Sequence, residues 1–97
     1  MTFQELIKQD RPVLVDFFAS WCGPCRLMTP VLKEVKQRAG ETVTIVKIDV
    51  DASPHTASTY QVQAVPTLIL FKNGKPIWRK SGVVPARELE QVLKTYN

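Results

Sequence analysis

With 97 residues, 44% of them apolar, the chain can fill one core but not two, so a single domain spanning 1–97 is expected. The net charge is +4, but Lys72, Lys75, Arg79 and Lys80 gather around an Asn73-Gly74 turn, the pattern of a solvated hairpin rather than of a nucleic-acid face. No stretch approaches the roughly 18 apolar residues of a membrane span, and the charged opening Met1 to Asp10 lacks the apolar centre of a signal peptide; this predicts a cytoplasmic protein, although a mature exported protein with its signal removed would read the same.

Phe3 to Lys8 has apolar residues at 3, 6 and 7, the spacing of a short amphipathic helix ended by Asp10-Arg11-Pro12. Val13 to Phe18 is a β-branched and aromatic run that suits a strand covered on both faces, with Asp16 as its one anomaly. Cys22 to about Arg38 reads as a helix with Leu27, Val31, Leu32 and Val35 on one face, Pro24 in its first turn and a kink at Pro30. Ala39-Gly40-Glu41 closes it, and Val43 to Ile48 is a second strand. Ser53-Pro54 reads as an N-cap and first residue of a short helix to about Tyr60. Thr67 to Phe71 and Ile77 to Lys80 form a hairpin across Asn73-Gly74, and Pro76 requires the second of them to be an edge strand. A last helix begins near Pro85, with Ala86, Leu89, Leu93 and Tyr96 on one face. This order of elements predicts an α/β fold, a mixed four-stranded sheet with helices on both faces.

Both cysteines lie in Trp21-Cys22-Gly23-Pro24-Cys25, directly after the first strand. On a helix, residues three apart share a face with Cβ atoms about 5–6 Å apart, so a small local closure makes a disulfide. The ring is too small to constrain the unfolded chain much, which leaves redox chemistry as its purpose. Cys22 at the helix start is the expected nucleophile, because unpaired amides and the helix dipole favour its thiolate. Cys25, one turn in, is the resolving thiol, with Gly23 and Pro24 keeping the turn tight. Zinc needs four ligands, and only His55 could join the two thiols, so no metal is expected.

Asp16-Phe17, Trp21 to Cys25, Arg26, Pro30, Lys47, Asp49, Val65-Pro66-Thr67, Phe71 to Gly74 and Gly82, in this order and over nearly the whole chain, make the sequence resemble thioredoxin. The resemblance implies the thioredoxin fold and a protein-disulfide reductase that works by thiol–disulfide exchange through a mixed disulfide. It needs no cofactor beyond its own Cys22–Cys25 couple. Client proteins with disulfides and a thioredoxin reductase-type electron donor are the implied partners, and a monomer is expected. Asp16 is implied as proton acceptor for Cys25, with a carboxyl pKa raised by its apolar strand, and Lys47 as its buried partner. Pro66 is implied to be cis and to face the disulfide, with Trp21, Val65 and Gly82 completing a substrate groove. A binding module that uses this groove without redox turnover is the alternative class.

The chain departs from the family twice. Phe18 stands where the family usually has tryptophan, and Met1 leads almost directly into the first helix, so that the family's usual first strand is missing and Val43 to Ile48 becomes an edge.

Overall fold

The computed structural model describes residues 1–96, and its sheet is organised around β1 (Val13–Phe18). Val13, Val15 and Phe17 are buried on one face of this strand and Leu14 and Asp16 on the other, which explains the nearly unbroken apolar run. Parallel to β1 lies β2 (Thr44–Asp49), with Asp16 opposite Lys47. Antiparallel to it on the other side lies β3 (Thr67–Lys72), with Phe17 opposite Thr67. The hairpin partner β4 (Lys75–Ser81) completes the order β2-β1-β3-β4. One face is covered by α2 (Met28–Ala39) and α4 (Ala86–Tyr96), which close over Leu14, Leu68 and Leu70. On the other face, α1 (Phe3–Leu6) and the chain leaving α3 (Pro54–Thr59) pack Phe3, Ile7, Tyr60 and Val62 against Val15, Phe17, Ile69 and Phe71. This is the mixed four-stranded sheet with helices on both faces that the order of elements predicts.

Local chemistry corrects several details. The helix expected over Cys22 to Arg38 is two pieces, a 3-10 turn at Pro24–Leu27 followed by α2. Pro30 therefore falls in the first turn of α2, where its missing N–H has no intrahelical partner to lose, and the expected mid-helix kink becomes a boundary between helix types. Because a 3-10 turn advances by about 3.0 residues rather than 3.6, the apolar face is rotated: Met28 is buried and Leu27, expected inside, is 60% exposed. The first helix stops at Leu6 and is opened by a capping box, in which Thr2 Oγ1 accepts from the Glu5 amide at 3.1 Å and Glu5 Oε1 accepts from the Thr2 amide at 3.0 Å. Ser53 precedes α3, but its hydroxyl makes no capping bond; its carbonyl accepts from the Ala57 amide at 3.1 Å instead. In α4, Leu89 is buried with Val92 and Leu93 beside it, while Tyr96, expected on the same face, is 36% exposed.

The hairpin turn takes φ of 53° at Asn73 and 82° at Gly74, as a two-residue turn of this sequence requires. In β4, Pro76 faces Phe71 and Trp78 faces Leu70, so Ile77 is the extra residue of a bulge on the edge strand. Three of the four basic residues around this hairpin are engaged on the protein's own acceptors. Lys72 reaches the Tyr96 carbonyl, Arg79 the carbonyls of Tyr60 and Gln61, and Lys80 the carboxylate of Glu88.

At the opposite edge, the amides of Thr44 and Val50 bond to the carbonyls of Pro12 and Phe18, so the even-numbered residues of β2 face β1 and the odd-numbered ones face outward. Lys36 Nζ covers one acceptor beside this edge, the Val43 carbonyl, at 2.7 Å. Hydrogen exchange on the 97-residue chain tests this edge: the amides of Ile45, Lys47 and Asp49 are expected to exchange at least tenfold faster than those of Thr44, Val46 and Ile48. Equal protection along the strand would mean that another segment covers it.

Candidate redox site

Because β1 and β2 run parallel and β3 returns against them, the end of β1, the end of β2, the start of β3 and the end of β4 meet at one end of the sheet. The sequence-predicted site residues lie on the segments that converge there. Leaving β1 at Phe18, the chain turns through Ala19 and Trp21 to Cys22 and Cys25, which are joined as a disulfide with a Cα separation of 5.4 Å. The pair packs with Ala19 against Phe18, Val50 and Val65.

Cys22 does not open the helix as expected; it precedes Gly23, the residue that caps the 3-10 turn. Nor does exposure separate the two thiols, since Cys22 is 4% and Cys25 5% exposed. What separates them is a donor: the Cys25 amide points at Cys22 Sγ from 3.2 Å. Pro24 has no N–H and the Arg26 amide is bonded to the Gly23 carbonyl, so the Cys25 amide is the one in this turn aimed at the sulfur. A donor there favours the thiolate of Cys22 over its thiol. Cys22 Sγ also lies 3.7 Å from the Val65 carbonyl. Gly23 has an ordinary helical φ of −61°, and a Cβ on it would meet nothing within 4 Å, so the turn itself does not need glycine; its lack of a side chain leaves the surface beside Cys22 open.

The Val65–Pro66 peptide bond is cis. Across from it Gly82 holds a φ of 93°, a conformation that favours glycine, and donates its amide to the Pro66 carbonyl at 2.8 Å. Trp21 is 70% exposed, yet its indole Nε1 donates to Asp51 Oδ2 at 2.8 Å, and Asp49 Oδ1 in turn accepts from the Asp51 amide at 2.9 Å. Sequence reasoning missed Asp51. The signal for it was an acidic pair two residues apart, directly after a strand.

Asp16 is fully buried on the face that α2 covers, and neither of its carboxylate oxygens has a hydrogen-bond partner among the described residues. Burial pushes its pKa up to about 6, against a smaller opposing pull from the Lys47 charge. Lys47 is not the buried partner expected. It is exposed, with Nζ 3.4 Å from Thr29 Oγ1 and 4.9 Å from the centre of the Phe18 ring, and it makes no ion pair with Asp16. The ring face of Phe18 thus supports the ammonium group. Among the described residues no cluster of three or more metal-ligating side chains occurs, and no helix is long and apolar enough to cross a membrane.

A redox-capable cysteine pair at the end of a strand, packed beside Val65 of the proline loop, is the arrangement of a thiol–disulfide exchange site. Residues 1–95 match the family profile described as Thioredoxin. The chain is 48% identical over 91 residues to the thioredoxin of Alicyclobacillus acidocaldarius, covering 94% of this chain and 87% of that one. It is 47% identical over 95 residues to the chloroplastic thioredoxin Y of Oryza sativa subsp. japonica, covering 97% of this chain and 56% of that protein, so the chain spans little more than half of its length. Among solved structures, mitochondrial thioredoxin 3 of Saccharomyces cerevisiae in its oxidised form superposes with a TM-score of 0.86 at 41% identity, over 96% of this chain and 86% of that one. The chain belongs to the thioredoxin family, whose members are thiol–disulfide oxidoreductases that reduce protein disulfides with an intrinsic redox disulfide and no bound cofactor. That membership decides for an enzyme over a binding module.

The unpartnered Asp16 makes stability depend on pH with a definite sign. Its folded pKa of about 6 lies above the ordinary value of 3.8, so the unfolded chain releases the proton first and stability falls as pH rises from about 4 to about 6. Asp16→Asn is expected to stabilise the oxidised protein by about 2 kcal/mol at pH 8, with the gain vanishing below about pH 4. Urea unfolding at the two pH values measures this, and an equal gain at both would refute the raised pKa.

Proposed function

We propose that Cys22 is the attacking thiol of a protein-disulfide reductase, Cys25 the resolving thiol and Asp16 the proton acceptor for Cys25. The observation that carries the assignment is the Cys25 amide aimed at Cys22 Sγ, a stabilisation that only Cys22 receives. The thiolate of Cys22 attacks one sulfur of a client disulfide, whose other sulfur leaves as a thiolate and is protonated from solvent. Cys25 then passes its proton to the Asp16 carboxylate and attacks Cys22 Sγ, which breaks the mixed disulfide and frees the second client thiol. Two electrons have moved to the client, and the Cys22–Cys25 disulfide has formed. With a pKa of about 6, Asp16 is mostly ionised at neutral pH and able to take that proton. Lys47, held by Phe18 and Thr29, keeps a positive charge near this carboxylate without neutralising it.

In this reading Trp21, Val65, Pro66 and Gly82 form the groove that receives the client chain around the disulfide, and Gly23 and Pro24 set the cysteine turn. Asp51 fixes the indole of Trp21 at the rim of the groove. A thioredoxin reductase-type donor returns the pair to the dithiol, which suits a monomer working in the reducing cytoplasm. Relatives that reside in chloroplasts and mitochondria leave the compartment to be measured directly, by fractionation.

Trapping separates the two thiols. Cys25→Ser is expected to accumulate mixed disulfides with client proteins on non-reducing gels, and Cys22→Ser to accumulate few or none. Stronger trapping by the Cys22→Ser form would reverse the assignment.

A further inference from the structure

The hydroxyl of Thr67 is buried at the start of a strand whose next four residues, Leu68 to Phe71, are fully buried and apolar. A valine would fill the same space without needing hydrogen-bond partners, so a hydroxyl there has to be placed on something. It has two neighbours. Thr67 Oγ1 lies 2.6 Å from the Ala64 carbonyl and 2.9 Å from Ser81 Oγ, its register partner on β4. A hydroxyl has one proton, and a carbonyl can only accept, so Thr67 donates to Ala64 and therefore accepts from Ser81. The result is a directed chain from the Ser81 hydroxyl through the Thr67 hydroxyl to the Ala64 carbonyl.

This chain joins two neighbouring segments that lie side by side at the site. Ala64 begins the loop that carries Val65 and Pro66, and Ser81 precedes Gly82, whose amide donates to the Pro66 carbonyl at 2.8 Å. The next carbonyl in the loop, that of Val65, lies 3.7 Å from Cys22 Sγ. On the far side of Gly82 the chain is tied down again, because the Val84 amide lies 3.4 Å from Met28 Sδ in the core. We propose that Thr67 and Ser81 are positioning residues, whose hydroxyl chain fixes the spacing between the Val65-Pro66 wall and the Gly82 wall so that a client chain is held in line with Cys22 Sγ. The proposal rests on the groove reading given above. It concerns recognition of an extended client, not the reactivity of the thiols, since neither hydroxyl touches a cysteine.

The distinction gives the test. Wild type and the variants Thr67→Val, Thr67→Ser and Ser81→Ala are reduced with dithiothreitol, freed of it, and reacted in a single turnover with excess insulin, a disulfide within a polypeptide, and with excess 5,5′-dithiobis(2-nitrobenzoate), a disulfide too small to span the groove. The concentration that gives half the limiting single-turnover rate is read as KM. Loss of one net hydrogen bond from each wall contact corresponds to about a 5-fold effect. Thr67→Val is expected to raise KM for insulin about 5- to 10-fold with little change in the rate at saturation, and to slow the small disulfide far less. Thr67→Ser, which keeps the hydroxyl, restores the insulin KM, and Ser81→Ala raises it about 2- to 5-fold. Ser81 is exposed, so that variant carries the test even where Thr67→Val folds poorly. Unchanged insulin KM in Ser81→Ala, or equal losses toward both disulfides, would overturn the proposal. A wild-type dithiol inert toward both disulfides would instead overturn the redox reading on which it stands.

Discussion

Burial of β1 on both faces is the constraint on which the remainder of the molecule depends. A strand without a solvent face must have a neighbour on each side and a helical layer above and below, and the chain supplies all four. Parallel pairing with β2 requires a crossover, which α2 provides, and antiparallel pairing with β3 brings the chain back to the end of the sheet from which the cysteines project. The cysteine pair therefore follows closely on a strand that is buried on both faces. The same burial accounts for Asp16: a carboxyl on the covered face of a central strand has no water to turn to, and none of the described side chains offers it a donor.

Three chain segments and the indole of Trp21 meet at the site, and each is fixed by a different kind of contact. Core packing holds the cysteine turn, a carboxylate holds the indole of Trp21, a hydroxyl pair and a backbone amide hold the Val65-Pro66 loop, and a methionine sulfur holds the chain beyond Gly82. Most of these anchors are short-range and polar, while the apolar core lies beneath them. The segments at the site are thus fixed by directional bonds on top of a layer that supplies stability without direction.

The order and type of the elements could be read from the residues because their patterns are strong: the β-branched run of β1, the Asn-Gly turn and the apolar stripe of α4 each admit one reading. The buried disposition of Asp16 was legible for the same reason, as a single acid inside that run. Helix starts were harder. Nothing in Cys22 to Pro30 announces a switch from a 3-10 turn to an α-helix, and that switch alone moves Leu27 from the core to the surface. The position of Lys47 was not legible, because a long flexible cation goes where acceptors and ring faces from other elements allow, here Thr29 and Phe18. Asp51 and Ser81 were missed because their partners lie 30 and 14 residues away.

The two edges of the sheet are not equivalent, and this limits how copies of the chain can meet. On β4 a proline, a bulge and the cations Lys75 and Arg79 interrupt the edge, while β2 is regular and presents its odd-numbered backbone groups outward. Among the described residues β2 is therefore the edge whose outward backbone groups are left regular for pairing with another strand. Two like strands that pair this way do so about a two-fold axis, and such a contact uses up the adhesive edge of both copies. A sheet with two open edges could extend into a fibre; a sheet with one terminates as a closed pair.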